Sequence, residues 1–211
     1  MGQYTSKGLY NSYDKNHKER DKLDYYATPT EETLNGLRAI GINFDGMTIL
    51  EPSCGGGHMV KGIMDYLDEN GYKADILATD IHDHESVCDF VKLTGEEYDF
   101  LSDNYPQEED VDWIIMNPPY ATIEPFTIRA LEIANKGVIM LGRLQFLEGA
   151  GRHKNIFTKY PPTDVYVYID RIQCWKGGVK PSGSSAQAYA WFVWDKEKEG
   201  QLTTCHWMHR A

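Results

Sequence analysis

A chain of 211 residues, 41% of them hydrophobic and 25% charged, has the length and apolar content of one soluble domain with a substantial core. Its net charge of -11 comes from 21 Lys and Arg against 32 Asp and Glu, which argues against a protein held to nucleic acid mainly by phosphate attraction. No stretch approaches the roughly 20 apolar residues that cross a bilayer, and the opening residues lack the apolar core of a secretory signal. The expectation is a cytoplasmic protein with no membrane partner. Cys54, Cys88, Cys174 and Cys205 are scattered, which fits a reducing compartment better than a disulfide framework.

Residues 1–24 are polar and rich in Lys, Asp, Asn, Gly and Tyr. They predict a flexible arm that could order on a partner. Thr28-Pro29-Thr30-Glu31 predicts a helix start, with Thr28 as cap, Pro29 in the first turn and Glu31 completing the box. Leu34, Leu37 and Ile40 continue its apolar face, and Gly41 stops it. Residues 47–50 form a short apolar strand that runs into Glu51-Pro52-Ser53-Cys54-Gly55-Gly56-Gly57-His58. Val60, Ile63, Met64 and Leu67 then keep helical spacing, and Gly71 ends that helix. A strand at 74–79 delivers Asp80. The order strand, glycine turn, helix, strand, acid opens a nucleotide-binding α/β sheet.

Between 81 and 110 the pattern weakens: 86–90 reads as a short helix and 98–101 as a strand end or turn. The apolar strand 111–116 ends in Asn117-Pro118-Pro119-Tyr120, and a helix follows over 123–134. Further strands fall at 137–141, 165–169 and 189–194, the last two separated by the glycine- and serine-rich loop 177–185. Residues 25–200 therefore read as a single domain and 201–211 as a tail. Cys205, His206 and His209 in that tail are too few for a metal site, and none is expected.

The chemistry concentrates at strand ends. Pro119 has no N–H and biases Pro118 away from helical geometry, so the Pro118 carbonyl can face a cleft beside the Asn117 amide oxygen. Two such acceptors suit an NH2 group on a planar ring, and Tyr120 can stack on that ring. The glycines let the backbone approach a ligand closely. The spacing Gly-x-Gly-x-x-Gly of a dinucleotide site is absent, because Val60 takes the third place. Glu51 can meet the ammonium of a zwitterionic ligand, or salt-bridge a loop. Asp80 can accept two ribose hydroxyls, or cap the next helix. Asp99-Phe100 can supply an acceptor and an apolar wall for an adenine ring, or be an exposed acid beside a core phenylalanine. These features favour S-adenosylmethionine over a dinucleotide. Charge is also uneven: 81–112 holds eleven acids and one lysine, whereas 143–180 holds seven basic residues against three acids. The second stretch is the candidate phosphate-facing surface.

Taken together, these motifs resemble the amino-group DNA methyltransferases, specifically the small adenine-N6 enzymes of bacteriophages and mobile elements, over residues 25–194. Tyr26-Ala27-Thr28-Pro29 resembles the cofactor motif that precedes the first strand, and Glu51 to Gly57 the glycine motif. Asp80 matches the ribose-binding acid, Asp99-Phe100 the adenine-binding pair and Asn117-Pro118-Pro119-Tyr120 the catalytic tetrad. Residues 144–149, 165–175 and 190–194 are similar to the later strands. The motif order resembles the gamma arrangement, without the large carboxy-terminal recognition domain many such enzymes carry.

The resemblance implies a Rossmann-like α/β methyltransferase fold, with a mostly parallel seven-stranded sheet and an antiparallel final strand. It implies S-adenosylmethionine as donor, S-adenosylhomocysteine as product, and DNA containing a target adenine as partner, in the host cytoplasm if phage-encoded. Asn117, Pro118 and Tyr120 become catalytic. Tyr26, Thr28, Pro29, Glu51, Pro52, Ser53, Gly55, Gly57, Asp80, Ile81, Asp99, Phe100 and Asn117 contact the donor. Pro119, Tyr120, Arg143, Arg152, Lys154 and Trp175 meet the substrate, with Tyr168 as another candidate aromatic wall. The same tetrad suits a protein glutamine or a ribosomal RNA guanine-N2 amino group, and an inactive methyltransferase-fold binding protein stays open.

Overall fold

The computed structural model describes residues 25–106, 110–182 and 187–211. The arm read at 1–24 and part of the loop read at 177–185 lie outside the described residues. Eight strands form one sheet: β2 (Thr48–Glu51), β3 (Asp75–Asp80), β4 (Lys92–Thr94), β5 (Trp113–Met116), β6 (Gly137–Arg143), β7 (Asp164–Tyr168), β9 (Tyr189–Asp195) and β10 (Thr204–Met208). Their order is β10-β7-β9-β6-β5-β2-β3-β4, and a two-stranded ribbon pairs β1 (Tyr26–Ala27) with β8 (Trp175–Lys176). All pairings in the large sheet are parallel except those of β9 with β6 and β7.

Strand β5 shows how the layers arise. It is apolar throughout, as a strand covered on both faces must be. Ile114 and Met116 point into one core with Leu50, Phe126 and Leu131; Trp113 and Ile115 point into the other with Leu37, Ile49 and Ile63. Helices α1 (Thr30–Ile40) and α2 (His58–Asn70) cover the second face, and α3 (Ile123–Ile133) the first. Gly41 and Gly71 end α1 and α2 in left-handed geometry, as the sequence predicts.

Several expectations shift. Helix α1 starts at Thr30 with Pro29 as its cap, and no side chain caps it. The Thr28 hydroxyl instead accepts a hydrogen bond from Asn117 Nδ2 at 3.1 Å. Residues 86–90 are not helical; the Val87 N–H donates to the Gly56 carbonyl at 2.9 Å and Phe90 packs over Gly57. Among the described residues the sheet has eight strands where seven are expected, and the antiparallel strand β9 is followed by a further strand. The segment 201–211, read as a tail, contributes β10, parallel to β7. His206 Nε2 donates to the Asp164 carboxylate at 2.9 Å and its ring stacks on Tyr166, with ring centroids 4.3 Å apart. Among the described residues no helix is long and apolar enough to cross a membrane.

Candidate active site

The strand order reverses between β2 and β5, and the crevice at such a point is where an open α/β sheet binds ligands. A cleft of about 140 Å³ opens there, lined among others by Tyr26, Thr28, Glu51, Asp80, Phe100 and Asn117. Pro52, Ser53, Ile81, Asp99 and Pro119 also line it. The sheet thus brings together, from five separate segments, most of the residues singled out for donor binding.

Asn117 sits at the end of β5 with its amide fixed. Nδ2 donates to the Tyr26 carbonyl at 2.8 Å and to the Thr28 hydroxyl at 3.1 Å. A carbonyl can only accept, so the nitrogen must face it. Oδ1 is buried and has no hydrogen-bond partner among the described residues. A buried acceptor left unpaired costs about 1–3 kcal/mol, a cost that an incoming N–H donor would relieve.

Glu51 is the second orphan. Ser53 donates to Oε1 from its backbone N–H at 3.3 Å and its hydroxyl at 3.2 Å, while buried Oε2 has no partner among the described residues. Burial, reinforced by the nearby Asp80 carboxylate, pushes the Glu51 carboxyl well above the usual carboxylate range. A cation placed against Oε2 would reverse that balance. Asp80 is anchored differently: Oδ2 accepts from the Gly55 N–H and Oδ1 from the His82 N–H, both at 2.8 Å. Each oxygen keeps a second lone pair for a hydroxyl donor. Asp99 Oδ1 accepts from the Leu101 N–H at 3.0 Å, which turns the chain so that Phe100 is both core and cleft wall.

The glycine turn is used differently from the expectation. Gly55 and Gly57 do not line the cleft. Both have positive φ, and a Cβ on either would lie 2.3 Å from the Tyr25 or the Phe90 ring respectively. Their close approach is to the protein's own aromatics. The Tyr25 hydroxyl accepts the Gly56 N–H at 2.9 Å, and its ring lies 4.3 Å from that of His84. Tyr25, His58, His84 and Tyr98 line the cleft without having been singled out in the sequence. The available signals were small: Tyr25 directly precedes the Tyr26 motif, and His58 opens α2 directly after the glycines.

Of the tetrad, Asn117 and Pro119 reach the cleft; Pro118 is buried and neither it nor Tyr120 lines it. The Tyr120 hydroxyl shares a 3.0 Å hydrogen bond with that of Tyr189, and burial pushes its ionisation far above the ordinary range. The Cys174 thiol, pushed up to about 11 by burial, lies within hydrogen-bonding reach of Tyr189, Tyr120 and Thr28. The Tyr120 ring lies 5.3 Å from that of Tyr26 and carries the Arg143 guanidinium on its face.

The remaining substrate candidates separate from the cleft. Arg152 is tied inward: its guanidinium donates to the carbonyls of Phe146, Glu148 and Gln145 and pairs with Glu124. Lys154 is exposed on the following turn. Trp175 lies in β8 opposite Ala27, edge-on to His58 at 5.5 Å. Tyr168 is a core residue, its hydroxyl accepting from Trp191 Nε1 at 3.0 Å and donating to the Glu32 carbonyl at 3.2 Å; it cannot serve as a wall for a base. Pro29 lies outside the cleft as the cap of α1.

The fold is shared with solved structures. A protein from Listeria monocytogenes assigned to the class I S-adenosylmethionine-dependent methyltransferases matches with a TM-score of 0.64 at 11% identity, over 97% of this chain and 72% of that one. A modification subunit of a protein assigned as a type I restriction enzyme, from Vibrio vulnificus, matches with a TM-score of 0.57 at 11% identity; 99% of this chain spans about half, 53%, of that one. A Lactococcus lactis protein assigned as a hemolysin matches with a TM-score of 0.50 at 15% identity, over 85% of this chain and 91% of that one. No protein-family model and no curated protein matches the sequence. The chain therefore has the Rossmann-like α/β fold found in class I methyltransferases; at such identities the likeness establishes architecture, and function rests on the site.

Proposed function

We propose that this protein transfers a methyl group from S-adenosylmethionine to the N6 amino group of adenine in DNA. The observation that carries this reading is Asn117 Oδ1, without a partner among the described residues, an acceptor whose orientation is dictated by Tyr26 and Thr28 at the rim of the cleft.

The residues present fit the donor. Glu51 Oε2, buried and unpaired, suits its ammonium group; Asp80 retains acceptor capacity for ribose hydroxyls; Phe100 and Tyr98 offer walls for an adenine ring. When bound, S-adenosylmethionine supplies an electrophilic methyl on a sulfonium. The target amino group is a poor nucleophile because its lone pair is delocalised into the ring. Asn117 Oδ1 accepts one of its hydrogens, and Pro118 is the proposed second acceptor after local adjustment of its carbonyl. As the nitrogen becomes pyramidal and positive, the bond to Asn117 strengthens, stabilising the transition state more than the ground state. Tyr120, kept neutral, offers its ring to the extruded base, whose extrusion costs a few kcal/mol.

A second reading has one observation in its favour. The net charge of -11 suits a protein substrate, and a glutamine amide presents the same planar NH2 group. Incubating the protein with methyl-labelled donor and, in parallel, duplex DNA, ribosomal RNA and protein separates the cases. Label recovered as N6-methyladenine in DNA is the expected result. Label confined to protein glutamine or RNA guanine overturns the DNA assignment, and donor binding with no transfer to any substrate identifies a binding protein instead.

A further inference from the structure

The face of Tyr120 is already taken. The Arg143 guanidinium carbon lies over its ring, 4.1 Å from the centroid. A guanidinium is flat and stacks on aromatic rings much as a nucleobase does. Arg143 is the last residue of β6, so the sheet fixes its backbone while its side chain keeps several rotatable bonds. Its Nε is buried with no hydrogen-bond partner, and no carboxylate pairs with it among the described residues. Arg152 shows what a permanently anchored arginine looks like in this fold, with three carbonyls and a carboxylate around it. Arg143 has the stack and little else.

The geometry points to Arg143 as a displaceable plug: its guanidinium holds the face of Tyr120 that a target base takes, and arrival of the base turns it outward to the flanking backbone phosphate. The identity of that base rests on the methyl-transfer reading above; the plug itself rests on the guanidinium lying over Tyr120 and on the buried, unpaired Nε. Displacement gives the cation what it lacks, since a phosphate accepts charge-assisted hydrogen bonds from the fork. It also makes opening selective. A base must replace the cation–π contact and gain the Asn117 acceptor before the slot favours it, so a ring that cannot donate to Asn117 is rejected.

The test uses Arg143→Leu, Arg143→Lys and Tyr120→Ala, each checked for cooperative thermal unfolding, with deoxyadenosine as a probe too small to reach a phosphate. Arg143→Leu should bind deoxyadenosine roughly 2- to 30-fold tighter than the parent. Arg143→Lys, which loses the flat fork, should fall between them, and Tyr120→Ala combined with Arg143→Leu should erase the gain. On duplex DNA the slope of log affinity against log salt should shrink by roughly 0.9 in Arg143→Leu. Deoxyadenosine affinity unchanged or weakened in both arginine variants overturns the plug, and an unaltered salt slope overturns the phosphate contact. If Arg143→Leu fails to fold, the lysine variant decides. Tighter deoxyadenosine binding alongside a parent that methylates no DNA supports the plug while refuting the DNA-methyltransferase reading.

Discussion

Two buried oxygens without a partner among the described residues define this site, and each has its own consequence. Asn117 Oδ1 cannot exchange places with Nδ2, because turning the amide would set two acceptors against each other at the Tyr26 carbonyl. Asn117→Ala should therefore lower kcat by roughly 10²–10³-fold while leaving donor affinity near that of the parent, measured by single-turnover methyl transfer and donor titration. Asn117→Asp should be impaired too, since its second oxygen would face the Tyr26 carbonyl. Glu51 predicts an effect of pH on stability. Burial and Asp80 raise its folded-state pKa well above 4.5, so the native state holds a proton that the unfolded chain has released. The stability from the neutral carboxyl is complete below 4.5 and declines as pH rises toward the raised value. Glu51→Gln keeps the neutral shape at every pH. Its melting temperature should gain on the parent's as pH rises above 4.5, while methyl transfer falls because no carboxylate remains for an ammonium. A margin that stays constant as pH rises above 4.5 would contradict the assignment. The sequence made both residues visible through their places at strand ends. It could not show that the Thr28 hydroxyl belongs to Asn117, because that contact spans most of the first half of the chain.

At the scale of elements, glycine permits contacts between pieces of the protein itself. Gly62 of α2 meets α1 so closely that a Cβ would lie 2.5 Å from Thr33 Cβ and 2.8 Å from the Thr30 carbonyl. Alanine is intrinsically better than glycine in a helix by about 1 kcal/mol, yet here the added methyl collides with backbone. Overpacking of this kind costs typically about 1–3 kcal/mol. Gly62→Ala should lower the urea midpoint without changing the slope; a raised midpoint would mean that the helices separate easily. Because Thr28 and Pro29 lead directly into α1, the same variant should also weaken the hold on Asn117. Helices α1 to α3 and strands β2, β3, β5, β6, β7 and β9 were legible because apolar periodicity and terminal glycines or prolines punctuate them. The three-residue β4 and the two-residue strands β1 and β8 are too short to carry a period. Strand β10 was hidden for another reason: Cys205 and Trp207 are exposed while Met208 is buried, so no continuous apolar stripe announces it.

Across the whole molecule, the site and the last strand lie at separate places in the sheet. The cleft forms where β2 and β5 part, whereas β10 lies at the far edge, beyond β6, β9 and β7. What ties β10 down is local: its parallel ladder with β7, buried Met208, and Asp164 between His206 and Lys198. Burial alone would raise the Asp164 carboxyl, but the His206 and Lys198 hydrogen bonds hold it below 3.8, so this contribution persists above that value and is lost only as acid protonates the carboxylate. The Ala211 N–H adds a 3.3 Å hydrogen bond to Glu32 of α1. Removing residues 203–211 sacrifices the methionine burial, worth about 2–5 kcal/mol on the scale of large core truncations, and exposes one edge of β7. The expected fall in melting temperature is about 4–20 °C. Methyl transfer measured well below the melting transition should nevertheless survive, because no residue of β10 lines the cleft. If activity disappears in a truncated protein that still unfolds cooperatively, the edge strand is coupled to Asn117 through β7, β9 and β6, and the sheet behaves as a single mechanical unit.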